Sequence, residues 1–125
     1  MLKEDLTEKI IQAFFNVYNN MGYGFLEKVY QNALLIELTE MGLDCRSQVP
    51  IKVAYKGVNV GDYYADIIVN NCVILELKAC EALCEDHEHQ LINYLKATDQ
   101  EIGLLLNFGK IPQFKRKIFT NDRKR

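Results

Sequence analysis

Apolar residues recur at helical spacing along the first third of the chain, then at every second position, then in two nearly unbroken runs. Ile10, Ile11, Phe14, Val17, Tyr18 and Met21 mark one face of a first helix over about Lys3 to Asn20. Asn19-Asn20 and the glycines at 22 and 24 end it. A second helix is expected from about Phe25 to Met41, with Leu26, Val29, Tyr30, Ala33, Leu34 and Leu38 inward and Gly42 as its stop. Glu27 falls in its first turn.

From Ser47 the period changes to two. Val49, Ile51, Val53 and Tyr55 alternate with Pro50, Lys52 and Ala54, the pattern of a half-exposed strand. Lys56-Gly57 signals a turn, with two more strands ending near Val69 and Ala79. A third helix covers about Asp86 to Thr98, and Ile102 to Phe108 reads as a buried strand. Ile118 and Phe119 offer a final edge strand within a basic segment. The predicted order is α-α-β-β-β-α-β with an extra C-terminal strand. A meander followed by a helical crossover makes an α/β fold, one mixed sheet flanked by helices.

Bulk properties fit one domain over residues 1–125, large enough for a proper core. No apolar run approaches the about 20 residues of a membrane span, and the charged N-terminus does not resemble a signal peptide. The expectation is a soluble cytoplasmic protein with no membrane partner. The cysteines at 45, 72, 80 and 84 lack the paired spacing of a zinc or iron–sulfur site and read as free thiols, Cys45 in a loop and Cys72 in a hairpin. Charge is uneven. Residues 110–125 hold seven of the fifteen basic residues and one acid, whereas the rest carries eight basic against sixteen acidic residues. Such a segment is either a phosphate contact or, the reading preferred for a charge run alone, a solvated tail.

The candidate chemistry lies in the two apolar runs. Asp66, Glu76 and Lys78 interrupt Ala65 to Val69 and Val73 to Ala79. A two-residue turn at Asn70-Asn71 would turn Glu76 away from Asp66. A three-residue connection, Asn70-Asn71-Cys72, pairs Val69 with Val73, Ile67 with Leu75 and Asp66 with Glu76. One face is then apolar (Ala65, Ile67, Val69, Val73, Leu75, Leu77), and the other carries both acids with Lys78 beside them. Two adjacent carboxylates repel, so one takes up a proton or both share a cation. Mg²⁺ (or Mn²⁺) needs few protein oxygens, keeps its waters and activates one of them toward phosphoryl groups. A salt-bridged strand pair is the plainer explanation for Glu-x-Lys, weakened here by the apolar setting.

Asp66, nine residues and then Glu76-Leu77-Lys78 resembles the PD-(D/E)xK nuclease signature. Gly24-Phe25-Leu26-Glu27-Lys28-Val29-Tyr30 is similar to the pattern that names the GxxExxY proteins, a branch of that superfamily. Gln48-Val49-Pro50, His87-Glu88-His89-Gln90-Leu91, Tyr94-Leu95 and Gly103 to Phe108 extend the likeness over nearly the whole chain. The signature's proline is absent, Tyr64-Ala65 standing before Asp66.

The resemblance implies a restriction-endonuclease-like fold and a metal-dependent nuclease acting on nucleic acid; DNA is favoured over RNA, with the choice left open. It makes Asp66, Glu76 and the Leu77 main-chain carbonyl metal ligands, Lys78 the catalytic lysine and Glu27 a further acid of the site. Helix-dipole stabilisation alone also explains Glu27. Tyr30 would pack in the core or hold Glu27 in place. Gln90 and Tyr94 share a helix face, extended by His87, and resemble the Gln-x-x-x-Tyr pair of RecB-like nucleases, which contacts nucleic acid. Core packing accounts for Tyr94 as well, and a surface position for His87. The competing function is a catalytically silent module of the same fold that binds nucleic acid or a partner protein, or a subunit of a larger complex. A homodimer would add surface for recognition.

Overall fold

The computed structural model describes residues 3–124. Helices α1 (Glu4–Met21) and α2 (Glu27–Glu40) precede strands β1 (Cys45–Tyr55), β2 (Val58–Val69) and β3 (Val73–Lys78). Helix α3 (Glu85–Lys96), β4 (Ile102–Asn107), β5 (Gln113–Ile118) and a short 3-10 turn (Asn121–Arg123) follow. The five strands lie side by side in chain order, antiparallel except for β3 and β4. That pair is parallel because α3 carries the chain back across the sheet. The architecture is the restriction-endonuclease-like mixed sheet, in the order α-α-β-β-β-α-β-β.

The central strands show why. All six residues of β4 and the first five of β3 are buried, as a strand covered on both faces requires. On one face Ile67, Val69, Val73, Leu75, Leu77, Leu104 and Leu106 pack under α1 and α2. The ring of Phe108 joins the layers, edge-on to Phe14 (4.8 Å) and stacked on Tyr30 (4.3 Å). On the other face Ile68, Ile74 and Leu105 meet Leu91, Tyr94 and Leu95 of α3. Gly103 lets α3 come this close, since a Cβ there would lie 2.6 Å from the Leu91 side chain.

Several expectations change in detail. Helix α2 begins at Glu27, with Leu26 extended just before it, so Leu26 (78% exposed) and Val29 (38%) face outward. Its inward residues are Tyr30, Gln31, Leu34 and Leu38. Its end is the predicted glycine stop: Gly42 N–H at φ 81° donates to Thr39 O (2.9 Å) and Leu43 N–H to Leu38 O (3.1 Å). Cys45 is not in a loop but opens β1. The basic segment is not a tail, because residues 113–118 form β5, where Lys117 forms an ion pair with Glu88 of α3. Burying the carbonyls and amides of β4 demands a partner strand on that side, and β5 supplies it. Beyond the sheet, β1 and β2 run on as a twisted ribbon closed by Lys56 (φ 50°) and Gly57 (φ 79°), the conformation of a tight hairpin.

Candidate functional site

The β2–β3 hairpin has the register read from its residue types. Ile67 pairs with Leu75, Ile68 with Ile74 and Val69 with Val73 across the three-residue connection. Asn70 and Asn71 take left-handed backbone (φ 51° and 52°), as asparagine tolerates, and Cys72 N–H closes the turn on Val69 O at 2.9 Å. The main-chain pairing ends at Ile67 and Leu75, and Asp66 and Glu76, next along each strand, are joined through side chains instead. Asp66 N–H donates to Glu76 Oε2 (3.0 Å), and Leu77 N–H donates to Asp66 Oδ2 (2.8 Å). Each carboxylate accepts one main-chain N–H, and one oxygen on each is left outside these bonds.

The other neighbour of β2 is irregular at the same point. The β1–β2 register runs from Ser47–Ile67 to Val49–Ala65 without pairing Gln48 to Asp66, and Gln48 has φ 52°. A non-glycine residue at positive φ within a strand is strained. The break also corrects the predicted apolar face: Ala65 packs with Ile51 and Tyr94 on the α3 side, while Ile67 stays on the α1–α2 side. Strict alternation fails at Asp66 because the backbone there is turned out of the ladder.

Charge is concentrated and poorly offset. Glu76 is 5% exposed. Burial above all, then the neighbouring Asp66 and, more weakly, Glu27, push its carboxyl up to about 8, against the Asp66 N–H and Lys78. Asp66 is also raised, chiefly by burial and then by Glu27, although the Leu77 N–H, Lys78 and Gln48 hold it down. Lys78 is half-buried on the same face of β3 as Glu76. Glu27, exposed at the start of α2, reaches both acids through its charge. Three acids against one lysine leave a site short of positive charge. Its carboxylate oxygens are the hard donors that a small divalent cation takes, so the residues fit such an ion. Among the described residues no three His, Cys, Asp or Glu side chains form a group that could hold a metal by themselves.

Tyr30 fixes where α2 starts. Its hydroxyl donates to Gly22 O (2.6 Å) and accepts from Phe25 N–H (3.3 Å), so the buried ring ties down the loop that delivers Glu27. His87 acts locally, its Nδ1 accepting from Cys84 N–H (3.3 Å) to close the N-terminus of α3. Tyr94 is 6% exposed and beside the acids; burial and then the charges of Glu76 and Asp66 push its phenol up to about 12. Gln90 lines a groove with Tyr94 rather than entering the acid cluster.

Three participants have no clear mark in the sequence. Gln48 links Asp66 to the buried Gln31, donating to Gln31 Oε1 at 3.1 Å. Its place in the Gln48-Val49-Pro50 block marks the residue but not this role. Asn107, fully buried at the end of β4, clamps the chain that leaves Lys78: it accepts from Cys80 N–H (3.0 Å) and donates to Cys80 O (2.9 Å). Gly109 makes room for the same contact, since a Cβ there would run into the Cys80 carbonyl oxygen. Asn107→Leu is therefore expected to orphan both Cys80 groups and to destabilise the fold by about 2–4 kcal/mol, read by urea denaturation. An unchanged midpoint would show that the clamp contributes nothing.

This combination, a mixed sheet with an acid pair and a lysine where its second and third strands part, defines a nuclease-like class of α/β protein. The chain belongs to the PD-(D/E)XK nuclease superfamily, whose family model matches residues 4–119. Members of the superfamily typically use divalent metals. A comparison with curated proteins found no match. Among solved structures, the crystal structure of SSO0001 is similar with a TM-score of 0.57 at 18% identity, over 78% of this chain and 52% of that one. At that identity the likeness is one of fold, and this chain spans about half the length of that protein.

Proposed function

We propose that this protein is a divalent-metal-dependent nuclease of the GxxExxY branch, hydrolysing phosphodiester bonds in nucleic acid, with DNA as the expected substrate. The observation that carries this reading is the linked pair Asp66 and Glu76, their carboxylates held by the Leu77 and Asp66 N–H groups, with Lys78 on the same face of β3 as Glu76. Asp66, Glu76 and the Leu77 carbonyl would hold Mg²⁺ or Mn²⁺, with Glu27 as an outer acid. Such an ion, when bound, supplies Lewis-acid polarisation of the phosphoryl oxygen and a more acidic water. The rest falls to the chain. The main-chain bonds fix the two acids before substrate arrives. Lys78 Nζ orients the attacking water and offsets charge on the phosphate as the water oxygen bonds to phosphorus and the ester oxygen leaves with a proton. Tyr30 sets the position of Glu27, and Gln48 that of Asp66. Gln90 and Tyr94 lie on the substrate side, whereas His87 serves the helix.

The test is cleavage of labelled DNA and RNA with Mg²⁺ or Mn²⁺, wild type against Asp66→Ala. Metal-dependent cutting lost in the variant is the expected result; cutting that survives Asp66→Ala would sink the assignment. A second reading, a silent module that binds nucleic acid or a partner protein, draws on the net charge of −2, low for a small nuclease. Calorimetric titration separates the two, since no heat at millimolar Mg²⁺ or Mn²⁺ favours the silent module. Among the described residues no helix is long and apolar enough to cross a membrane. One cytoplasmic domain over residues 1–125, working alone or as a homodimer, completes the proposal.

A further inference from the structure

A groove of about 840 Å³ opens between the β1–β2 ribbon and α3, beside the acid pair. Its wall is aromatic. The Tyr63 ring, 46% exposed, leans on Tyr94 with centroids 5.7 Å apart. On its own strand the Tyr63 ring lies over Gly61, where a Cβ would come within 3.2 Å of it. Tyr63 is thus supported from behind and from the side while nearly half of it faces solvent. Opposite stand His89, Gln90 and Asn93 of α3, whose side chains have no hydrogen-bond partner among the described residues. Lys52 and Lys96 flank the groove against the single acid Asp86.

We infer that this groove takes an unpaired polynucleotide strand, one base stacked on Tyr63, so that the substrate is single-stranded nucleic acid rather than duplex. The inference rests on the nuclease reading of the adjoining acids. A supported, half-exposed aromatic ring is a stacking platform for any base, and two lysines suit a phosphate backbone. Free amides and an imidazole across the groove can meet the base edge, which an unpaired strand leaves exposed. In a duplex that face and edge are already occupied, and presenting them requires unstacking and unpairing the base. Tyr94 joins the groove to the chemistry: it touches Tyr63 on one side, and its phenol feels Glu76 and Asp66 on the other. A strand laid on Tyr63 therefore brings a neighbouring phosphate toward the acids.

The experiment is fluorescence anisotropy with labelled oligo-dT and oligo-rU of ~12 nucleotides and the corresponding duplexes. Metal-free wild-type protein leaves the probes uncut, and Asp66→Ala is run in parallel. Binding of either single strand about tenfold or more tighter than its duplex is expected, and the preferred single strand tells DNA from RNA. Tyr63→Ala should weaken that binding about 5- to 150-fold, while Tyr63→Phe, which keeps the ring, should retain it. Equal affinity for duplex, or a Tyr63→Ala protein that is folded by circular dichroism and binds as wild type does, would overturn the inference. The two readings fail separately. A protein that binds single strands through Tyr63 but never cuts with Mg²⁺ or Mn²⁺ loses the nuclease reading alone. One that cuts duplex as fast as single strands loses the groove.

Discussion

Lys78→Ala is expected to fold like its parent, bind divalent metal and lose cleavage on the order of 10²–10⁴-fold, the scale of a positioned acid–base or charge-stabilising group. The reason is local. Among the described residues, Lys78 is the cation whose charge reaches both Asp66 and Glu76. It lies half-buried at the end of β3, opposite Asn107 of β4. Its side chain makes no hydrogen bond or ion pair among the described residues that truncation would orphan, so the stability cost should be small. The fixed main chain, from Glu76 through the clamp at Cys80, stays intact. A cleavage time course at saturating Mg²⁺, beside a thermal melt of the same sample, makes the measurement. Full activity in a folded Lys78→Ala protein would remove the lysine from the mechanism.

Glu76→Gln should do two things: abolish cleavage and flatten the pH dependence of stability. In the fold Glu76 is raised from its usual 4.5 to about 8, chiefly by burial and then by Asp66. A carboxyl raised on folding is protonated more readily in the native than in the unfolded chain. Its contribution is therefore fully present below about 4.5 and is lost as pH rises through about 8. Across that window the metal-free protein should lose up to about 1.4 kcal/mol of stability per pH unit from this group, with Asp66 adding in the same direction. A glutamine cannot ionise, yet its Oε1 can still accept from Asp66 N–H. Between about pH 5 and about pH 8 the urea midpoint should then fall for wild type and change far less for the variant. Millimolar Mg²⁺ near pH 8 should restore wild type and not Glu76→Gln. A wild-type midpoint that does not move with pH would contradict the burial and pairing of these acids.

Much of the fold was legible because it depends on short-range patterning. The 3.6-residue period placed α1, and the apolar run at 102–106 placed β4 as a strand covered on both faces. The hairpin register followed from residue types, since slipping it by one position would have buried charge among leucines. What misled was equally physical. Leu26 and Val29 continue the apolar stripe of α2, but the helix starts one residue after Leu26, where Tyr30 anchors the preceding loop to Gly22. The solvated-tail reading of the basic run also fails: the edge strand expected near Ile118 spans Gln113–Ile118, because β4 needs a neighbour on that side. Gln48, Asn107 and Tyr63 carry no signal in isolation. Their roles rest on contacts across 17 or 27 positions of chain, or across the gap between a strand and a helix.

Residue order alone singles out the candidates: an acid, nine residues, then Glu-x-Lys, in strands too apolar to carry charge idly. It also sets the register of the hairpin up to Ile67 and Leu75, because side chains alternate along a strand and a three-residue turn sets the phase. What surrounds them came from assembly in three dimensions. The ladder opens at Asp66, and main-chain N–H groups hold both carboxylates in place against their mutual repulsion. A helix starting at Glu27 adds a third negative charge from a distant part of the chain, and α3 closes over Tyr94 to leave a groove at the edge. Burial and repulsion raise the affinity of the acids for a proton or a cation. Both are properties of the packed core, in which groups far apart in sequence share one low-dielectric space, and no local pattern encodes them.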